Sequence, residues 1–234
     1  MSNIKVFMLN RKILFLIIFV VLGLATFQIP VSRIIGSKQS FTLFEFIVPL
    51  GGAFLGPLWG ALSALIVRLA AVIISRQSLD LLTIIRFLPM VLAAVYFGTK
   101  TRKMAFIFPL CIVLFLAHPI GRQAWLYPML WLIPLVATLG KQRLFLNGLG
   151  ATFTSHAIGS VIFLYTFGLS PEVWLSLIPT VLLERGFFAL GIWLSYLVIN
   201  MILDKASQFK GIGILRPLVN KECLVSLKFF KFFA

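Results

Sequence analysis

A chain of 234 residues, 61% hydrophobic and 12% charged, with a mean hydropathy of +1.08, holds more apolar side chain than a water-soluble core of its size can hide. Its net charge of +15 would fit nucleic acid in a soluble protein, but the basic residues stand in short stretches between apolar runs, where they act as topology signals. A nucleic-acid partner is therefore set aside, and two cysteines, Cys111 and Cys223, are too few for a disulfide or metal framework.

The first apolar run, 13–29, follows Arg11 and Lys12 and at first sight matches a signal peptide. No small-residue cleavage pattern follows it, since Gln28-Ile29-Pro30-Val31 comes next, so a retained helix is expected. Cutting the remainder at charges, prolines and glycines gives apolar segments at 43–56, 58–75, 81–98, 104–118, 123–139, 144–168 and 173–203. A crossing takes about 20 apolar residues, which makes 43–56 short and 104–118 marginal. The expectation is an all-α, polytopic integral membrane helical bundle of six to eight segments over residues 1–204. A basic amphipathic tail, 205–234, follows, and its last part, 218–234, suits an interfacial helix on anionic lipid.

Charge bias sets the expected orientation. With the amino terminus inside, Lys5, Arg11, Lys12, Lys100, Arg102, Lys103, Lys141, Arg143 and six basic residues of the tail are cytoplasmic, against Arg33, Lys38, Arg76 and Arg122 outside. Both termini are thus expected in the cytoplasm of a cell-membrane protein.

The stretch 41–60, FTLFEFIVPLGGAFLGPLWG, stands apart. It sets Glu45, Pro49, Pro57 and four glycines (Gly51, Gly52, Gly56, Gly60) in an apolar context. A lipid-facing helix has no use for so many breaks, because each backbone group freed in hydrocarbon must find another partner. Gly52, Gly56, Gly60 and Ala64 recur every fourth residue, a spacing that lets a neighbouring helix approach closely. Pro57 must break or turn the chain within that series. Two arms are predicted, with Gly52, Gly56, Pro57 and Gly60 as their structural hinge.

Well inside the expected spans lie the ionisable groups Glu45, Arg68, Arg86, His156, Glu184 and Arg185. Embedding one costs at least about 2.5 kcal/mol. At a rise of about 1.5 Å per residue, Arg68, His156 and Glu184-Arg185 sit near mid-depth, and Glu45 and Arg86 nearer the outer face. This predicts substrate-binding side chains around a cavity that opens outward, with Glu45 at its rim. The plainer reading pairs Glu184 with Arg68 or Arg185, and Glu45 with Arg86, as neutral clamps. Three arginines against two glutamates leave one guanidinium over, and its planar fork suits a carboxylate or phosphate.

In 151-ATFTSHAIGS-160, Thr152, His156 and Gly159 share a helical face bordered by Ser155, a polar stripe fit to bind solute or to hold a neighbouring helix. Trp125, Tyr127 and Trp174 fall near outer ends and read as interfacial belt residues, and His118 as a loop residue. The sequence has no His-Glu-x-x-His, G-x-S-x-G, Walker A or Cys/His cluster, so no catalytic residue, metal site or cofactor is expected. Without a nucleotide site the chain cannot use ATP by itself.

The run 42-TLFEFIVPLGGAFLGPLWGALSALIVRL-69 resembles the substrate-binding S components of energy-coupling-factor vitamin transporters. In that family an early span commonly carries small residues, then Gly-Pro, then a further glycine, as Leu55-Gly56-Pro57-Leu58-Trp59-Gly60 does here. The later 85-IRFLPMVLAAVYFG-98 is compatible with the same pattern. The resemblance implies a compact helical bundle that captures a vitamin-sized solute or metal ion from outside and works with a transmembrane coupling subunit and ATPase subunits. The first helix departs from the family's Ala-x-x-x-Ala docking pattern, since 21-VLGLATF-27 has only Gly23 and Ala25 there. Solute capture for uptake is the expected function, with a small molecule, membrane lipids and a coupling module as partners. The alternatives are a non-transporting subunit that docks another membrane protein and a lipid-modifying membrane enzyme.

Overall fold

The computed structural model describes residues 2–33, 40–99, 102–137, 143–209 and 213–223, and the fold is all-α apart from one small β ribbon. The chain divides into two compact units, Met1–Ile192 and Trp193–Ala234. The first opens with α1 (Ser2–Phe27) and the ribbon β1 (Pro30–Arg33) and β2 (Ser40–Thr42). Then come α2 (Phe44–Leu55), α3 (Pro57–Ile74), α4 (Leu81–Ile85), α5 (Leu88–Gly98), α6 (Ile107–Ala117) and α7 (Pro119–Gln123). A 3-10 turn, Tyr127–Trp131, precedes α8 (Leu132–Ala137), α9 (Leu144–Thr166) and α10 (Pro171–Ser176). The last helix, α11 (Ile178–Ser207), begins in the first unit and ends in the second.

Three helical stretches among the described residues are long and apolar enough to cross a membrane: Pro57–Ile74, Leu81–Gly98 and Ile178–Ser207. Lys12–Phe27, Phe44–Leu55, Met104–Ala117 and Tyr127–Ala137 are apolar but shorter. Along α3, Leu58, Leu62 and Leu65 are exposed at one-turn spacings, and Leu183, Phe187 and Leu190 do the same on α11. Such faces suit lipid, where an exposed leucine carries no penalty.

Prolines do much of the punctuation. Pro57, Pro119 and Pro171 each stand at a helix start, where the missing N–H is no loss and the fixed φ suits the first turn. The expected single segment 123–139 is instead divided, because Pro128 lies in the 3-10 turn and Pro134 in the six-residue α8. The turn is anchored by its own aromatics: Tyr127 and Trp131 join Phe108, Phe115, Phe153 and Trp174 in a buried cluster. Phe115 meets Trp131 and Trp174 edge to face at 5.6 and 5.2 Å.

The ribbon is antiparallel, with an irregularity between Pro30 and Ser32. Two short strands are marginal alone, and Phe41 docks this pair by meeting Phe188 of α11 edge to face at 5.3 Å. In the second unit the fully buried Asn200 donates from Nδ2 to the Asn220 carbonyl at 2.9 Å. Its Oδ1 accepts the Asn220 N–H at 2.8 Å, which folds the chain after α11 back onto the helix. A 3-10 turn, Gly213–Leu218, ends where the interfacial helix expected over 218–234 begins, a second, Lys221–Cys223, falls within that stretch, and 224–234 lie outside the described residues.

Candidate functional site

The site begins with the backbone of the glycine-rich stretch. α2 stops and α3 starts at Gly56-Pro57, with Gly56 at φ 88°, a conformation that a side chain would strain. Gly56 donates its N–H to the Gly52 carbonyl, and Gly60 donates to the Gly56 carbonyl, each at 2.9 Å. The arms then lie backbone against backbone, since a Cβ on Gly60 would overlap Gly52 and one on Gly52 would overlap the Ala94 carbonyl of α5. A Cβ on Gly51 would stand 2.8 Å from Ser63 Oγ. This is a close seam of α2, α3 and α5. Pro49, inside α2, has no N–H to give the Glu45 carbonyl, so the helix ladder is interrupted beside that acid.

A cavity of about 480 Å³ opens in the first unit, in the size range of small-molecule sites. Glu45, Arg68, Arg86, His156, Glu184 and Arg185 all line it. They arrive from five helices: Glu45 from α2, Arg68 from α3, Arg86 from the end of α4, His156 from α9, and the Glu184-Arg185 pair from α11. The ribbon contributes Ser40, Phe41 and Thr42 to the same wall.

Arg185 is held from several directions. Only 3% exposed, it donates from Nη2 to Glu184 Oε2 and from Nη1 to Thr152 Oγ1, both at 3.2 Å. Its guanidinium also lies over the rings of Phe41 and Phe188, at 4.9 and 4.6 Å. Glu184 in turn accepts from Ser32 Oγ at 3.2 Å, tying the ribbon to α11. Of the clamps weighed from sequence, Glu184 with Arg185 is present.

The pairing of Glu45 with Arg86 is not found. Glu45 lies in the field of Arg68 and Arg185, with no ion pair within 4 Å among the described residues. Arg68 is over Phe27 and Phe44, at 5.6 and 5.8 Å, and Arg86 over Phe167, at 5.4 Å. Neither has an ion pair among the described residues. Asp80 caps the exposed start of α4. The Thr83 N–H, donated to Asp80 at 2.7 Å, holds that carboxyl below the usual carboxylate range, and Arg86 adds to the effect.

His156 is satisfied at both ring nitrogens. Trp131 Nε1 donates to Nδ1 at 3.2 Å, which leaves the proton of a neutral ring on Nε2, facing Tyr127 Oη at 3.0 Å. Tyr127 Oη lies 3.2 Å from Ser160 Oγ. In this tautomer Nε2 cannot take a proton from Ser160, and no carboxylate orients the ring, so the group lacks the logic of a hydrolytic triad. The polar stripe of α9 serves three neighbours: Thr152 meets Arg185, Ser155 donates to Met90 Sδ at 3.3 Å, and Gly159 faces Pro89, which a Cβ there would meet at 3.9 Å.

Two aromatic expectations are overturned. Tyr127 and Trp174 are each 2% exposed and line the cavity, because the segments that carry them fold inward; Trp125, 55% exposed, keeps the character of a belt residue. His118 is a helix cap rather than a loop residue, accepting the Ile120 N–H of α7 at Nδ1. Sequence reasoning missed Ser32, Thr42 and Trp131. Strand-breaking Pro30 obscured the ribbon, and nothing local to Trp131 signals that it will orient a histidine 25 residues further on.

Fold and site together define a helical protein with membrane-length helices and a charged internal cavity. No family model matches the chain, and no solved structure matches it. An uncharacterized protein of Methanocaldococcus jannaschii is 24% identical to it, a likeness covering 97% of this chain and 85% of that relative.

Proposed function

We propose that the chain is a multi-pass protein of the cell membrane, with both termini cytoplasmic, that serves as the solute-binding component of an uptake transporter of energy-coupling-factor type. It captures a small anionic solute from outside and hands it to a coupling subunit driven by separate ATPases. The observation that carries this reading is the gathering of three guanidinium groups and two carboxylates from α2, α3, α4 and α11 around one cavity of about 480 Å³. Charges buried only to fix helix register need no such space between them.

Within this reading the groups divide the work. Arg185, already committed to Glu184 and Thr152, sets the shape and potential of the wall. Arg68 and Arg86 keep their forks for the solute, and Glu45 accepts from any donor it carries. The ribbon rests on the site through Ser32 and Phe41, so a solute that competes for Glu184 or Arg185 loosens it.

Uptake by cells that express the chain with its coupling module is the test. Arg68→Ala and Glu184→Ala should each reduce uptake at least about tenfold, the loss of a charge-assisted hydrogen bond. Wild-type uptake by both variants, at equal amounts of folded protein in the membrane, would remove the proposed site.

A further inference from the structure

Glu45 and Glu184 both line the cavity, but only one of them is compensated by contact. Arg185 Nη2 donates to one oxygen of Glu184 and Ser32 Oγ to the other, each at 3.2 Å. Glu45 has no hydrogen bond to its carboxylate and no ion pair among the described residues. It is only partly buried, so whatever fills the cavity reaches it.

What favours charge on Glu45 acts from a distance. It stands in the first turn of α2, where the helix end favours an anion, and it lies in the field of Arg68 and Arg185. Arg185 is committed to Glu184 and Thr152. That leaves Arg68, which is also partly buried and packs on the ring of Phe44, the residue beside Glu45.

No other neighbour stands in for it. Among the described residues, α1, α5 and β2, all packed on α2, bring no charged side chain to the cavity. From α9 comes His156, whose Nδ1 takes the Trp131 N–H, so a second proton on that ring would displace a hydrogen bond already made. From α11 come only Glu184 and Arg185, which hold each other, and Arg86 at the end of α4 packs on Phe167.

Arg68 therefore cannot serve Glu45 and an anionic solute at once. When the acid group of a solute takes its fork, a second negative charge arrives beside a carboxylate that has no donor of its own. Two anions confined in one site favour a proton on one of them. We propose that Glu45 takes up a proton from the water of the cavity as the solute's acid group binds Arg68, so that capture is proton-linked and adds no net charge to the embedded site. The proton sits on one Glu45 oxygen, whose O–H donates to the solute while the other oxygen still accepts, and it leaves when the solute leaves. By reciprocity, acidity tightens capture by the same factor by which the solute tightens the proton. The inference rests on the solute-binding reading above and names how that same site is regulated.

The test titrates the detergent-purified full chain with acetate, pyruvate, benzoate, nicotinate and benzenesulfonate, which stay essentially fully ionised from about pH 6 to about pH 8. Binding is found by melting temperature and measured by calorimetry. Repeating the calorimetry in buffers of different ionisation enthalpy counts the protons exchanged. A probe that binds should bring up to about one proton with it, and its affinity should fall by up to about tenfold per pH unit over that range. Infrared difference spectra of the wild type should show a carboxyl group becoming protonated on binding, a readout that needs no variant. Glu45→Gln, which copies the shape of the protonated acid, should lose both the infrared band and the pH dependence. Glu184→Gln should keep them.

A probe that binds the wild type with no proton exchanged overturns the inference and leaves solute capture standing. Proton uptake that persists in Glu45→Gln overturns the assignment to this residue. Failure of every probe to bind at any pH removes both readings together.

Discussion

The glycine seam and the cavity share α2 and α3, and there those helices solve opposite problems. At the seam, Gly52, Gly60 and Ala94 bring α2, α3 and α5 so close that backbone atoms fill the space where side chains would stand. At the cavity, side chains from α2, α3, α4, α9 and α11 stand around about 480 Å³ of space, six ionisable groups among a largely apolar wall. Glu45 and Gly52 stand seven residues apart on α2, one facing the cavity and the other the seam. Between apolar helices in lipid, where no hydrophobic force drives association, close packing of this kind is what holds them together.

The largest test of this contrast concerns the Glu184–Arg185 ion pair in the cavity wall. Arg185→Met leaves Glu184 embedded beside Ser32 without its guanidinium, and such an unpaired charge costs about 3–5 kcal/mol. Glu184→Gln combined with Arg185→Met should recover most of that loss, since no charge is then left alone. Chemical or thermal unfolding in detergent of the two single variants and the double variant measures it. A double variant no more stable than Arg185→Met would show that the arginine acts through packing on Phe41 and Phe188 instead.

Next in size is the seam itself. Gly52→Ala adds one methyl group, but its Cβ overlaps the Ala94 carbonyl and stands 3.0 Å from Gly98 N, with backbone on both sides and nothing flexible to yield. A loss of about 3 kcal/mol is expected, at the upper end for overpacking. A drop in melting temperature and in monodisperse yield reads it. Gly56→Ala, where a Cβ meets nothing within 4 Å, should cost only the strain of φ 88°, about 1 kcal/mol. Equal losses at the two positions would mean that backbone conformation, not close approach, is what those glycines provide.

The third test reverses the outcome at the cavity. A Cβ on Gly159 meets only Pro89 Cγ, at an ordinary contact distance of 3.9 Å, so Gly159→Leu clashes with no backbone there, and a leucine in mid-helix is favoured over glycine by about 0.8 kcal/mol. The fold should hold or gain slightly while solute affinity falls by a hundredfold or more, because the new side chain occupies the volume. Stability and binding thus part at Gly159 and fail together at Gly52.

How much of this could be read from residues alone follows from what each feature costs. The six embedded ionisable groups were visible because charge in an apolar run is too expensive to be accidental, and they do line one cavity. The Gly56-Pro57 break was equally legible, since proline fixes φ and removes a donor wherever it stands. The ribbon was not, because Pro30–Arg33 and Ser40–Thr42 are too short for a period-two pattern to emerge. Tyr127 and Trp174 misled for a different reason. An aromatic near the end of an apolar segment suits an interface equally well if the segment runs straight or turns inward, and only Pro128 and Pro171 hint at the turn. The three membrane-length helices were among the segments anticipated, whereas the segment 123–139 was two short pieces.

The smallest effect lies just outside the cavity, where the chain puts arginine in a place that suits glycine. Arg76 has φ 52° after the end of α3. It donates its N–H to the Ile73 carbonyl at 3.2 Å, and Gln77 donates to the Val72 carbonyl at 3.1 Å, the paired bonds of a Schellman cap whose left-handed position favours a residue without Cβ. Arg76→Gly should therefore stabilise the protein by about 0.5–1 kcal/mol. Its neighbours Ser75 and Gln77 line the cavity, while Arg76 itself is exposed. A cation at that spot draws anions toward the entrance, so the same substitution should slow solute association at low ionic strength and leave it unchanged at about 1 M salt, where the screening length is near 3 Å. Stopped-flow association at two salt concentrations, beside a melting curve, separates the roles. A more stable protein with unaltered low-salt association would assign Arg76 no part in capture and leave its strained backbone without a functional reason.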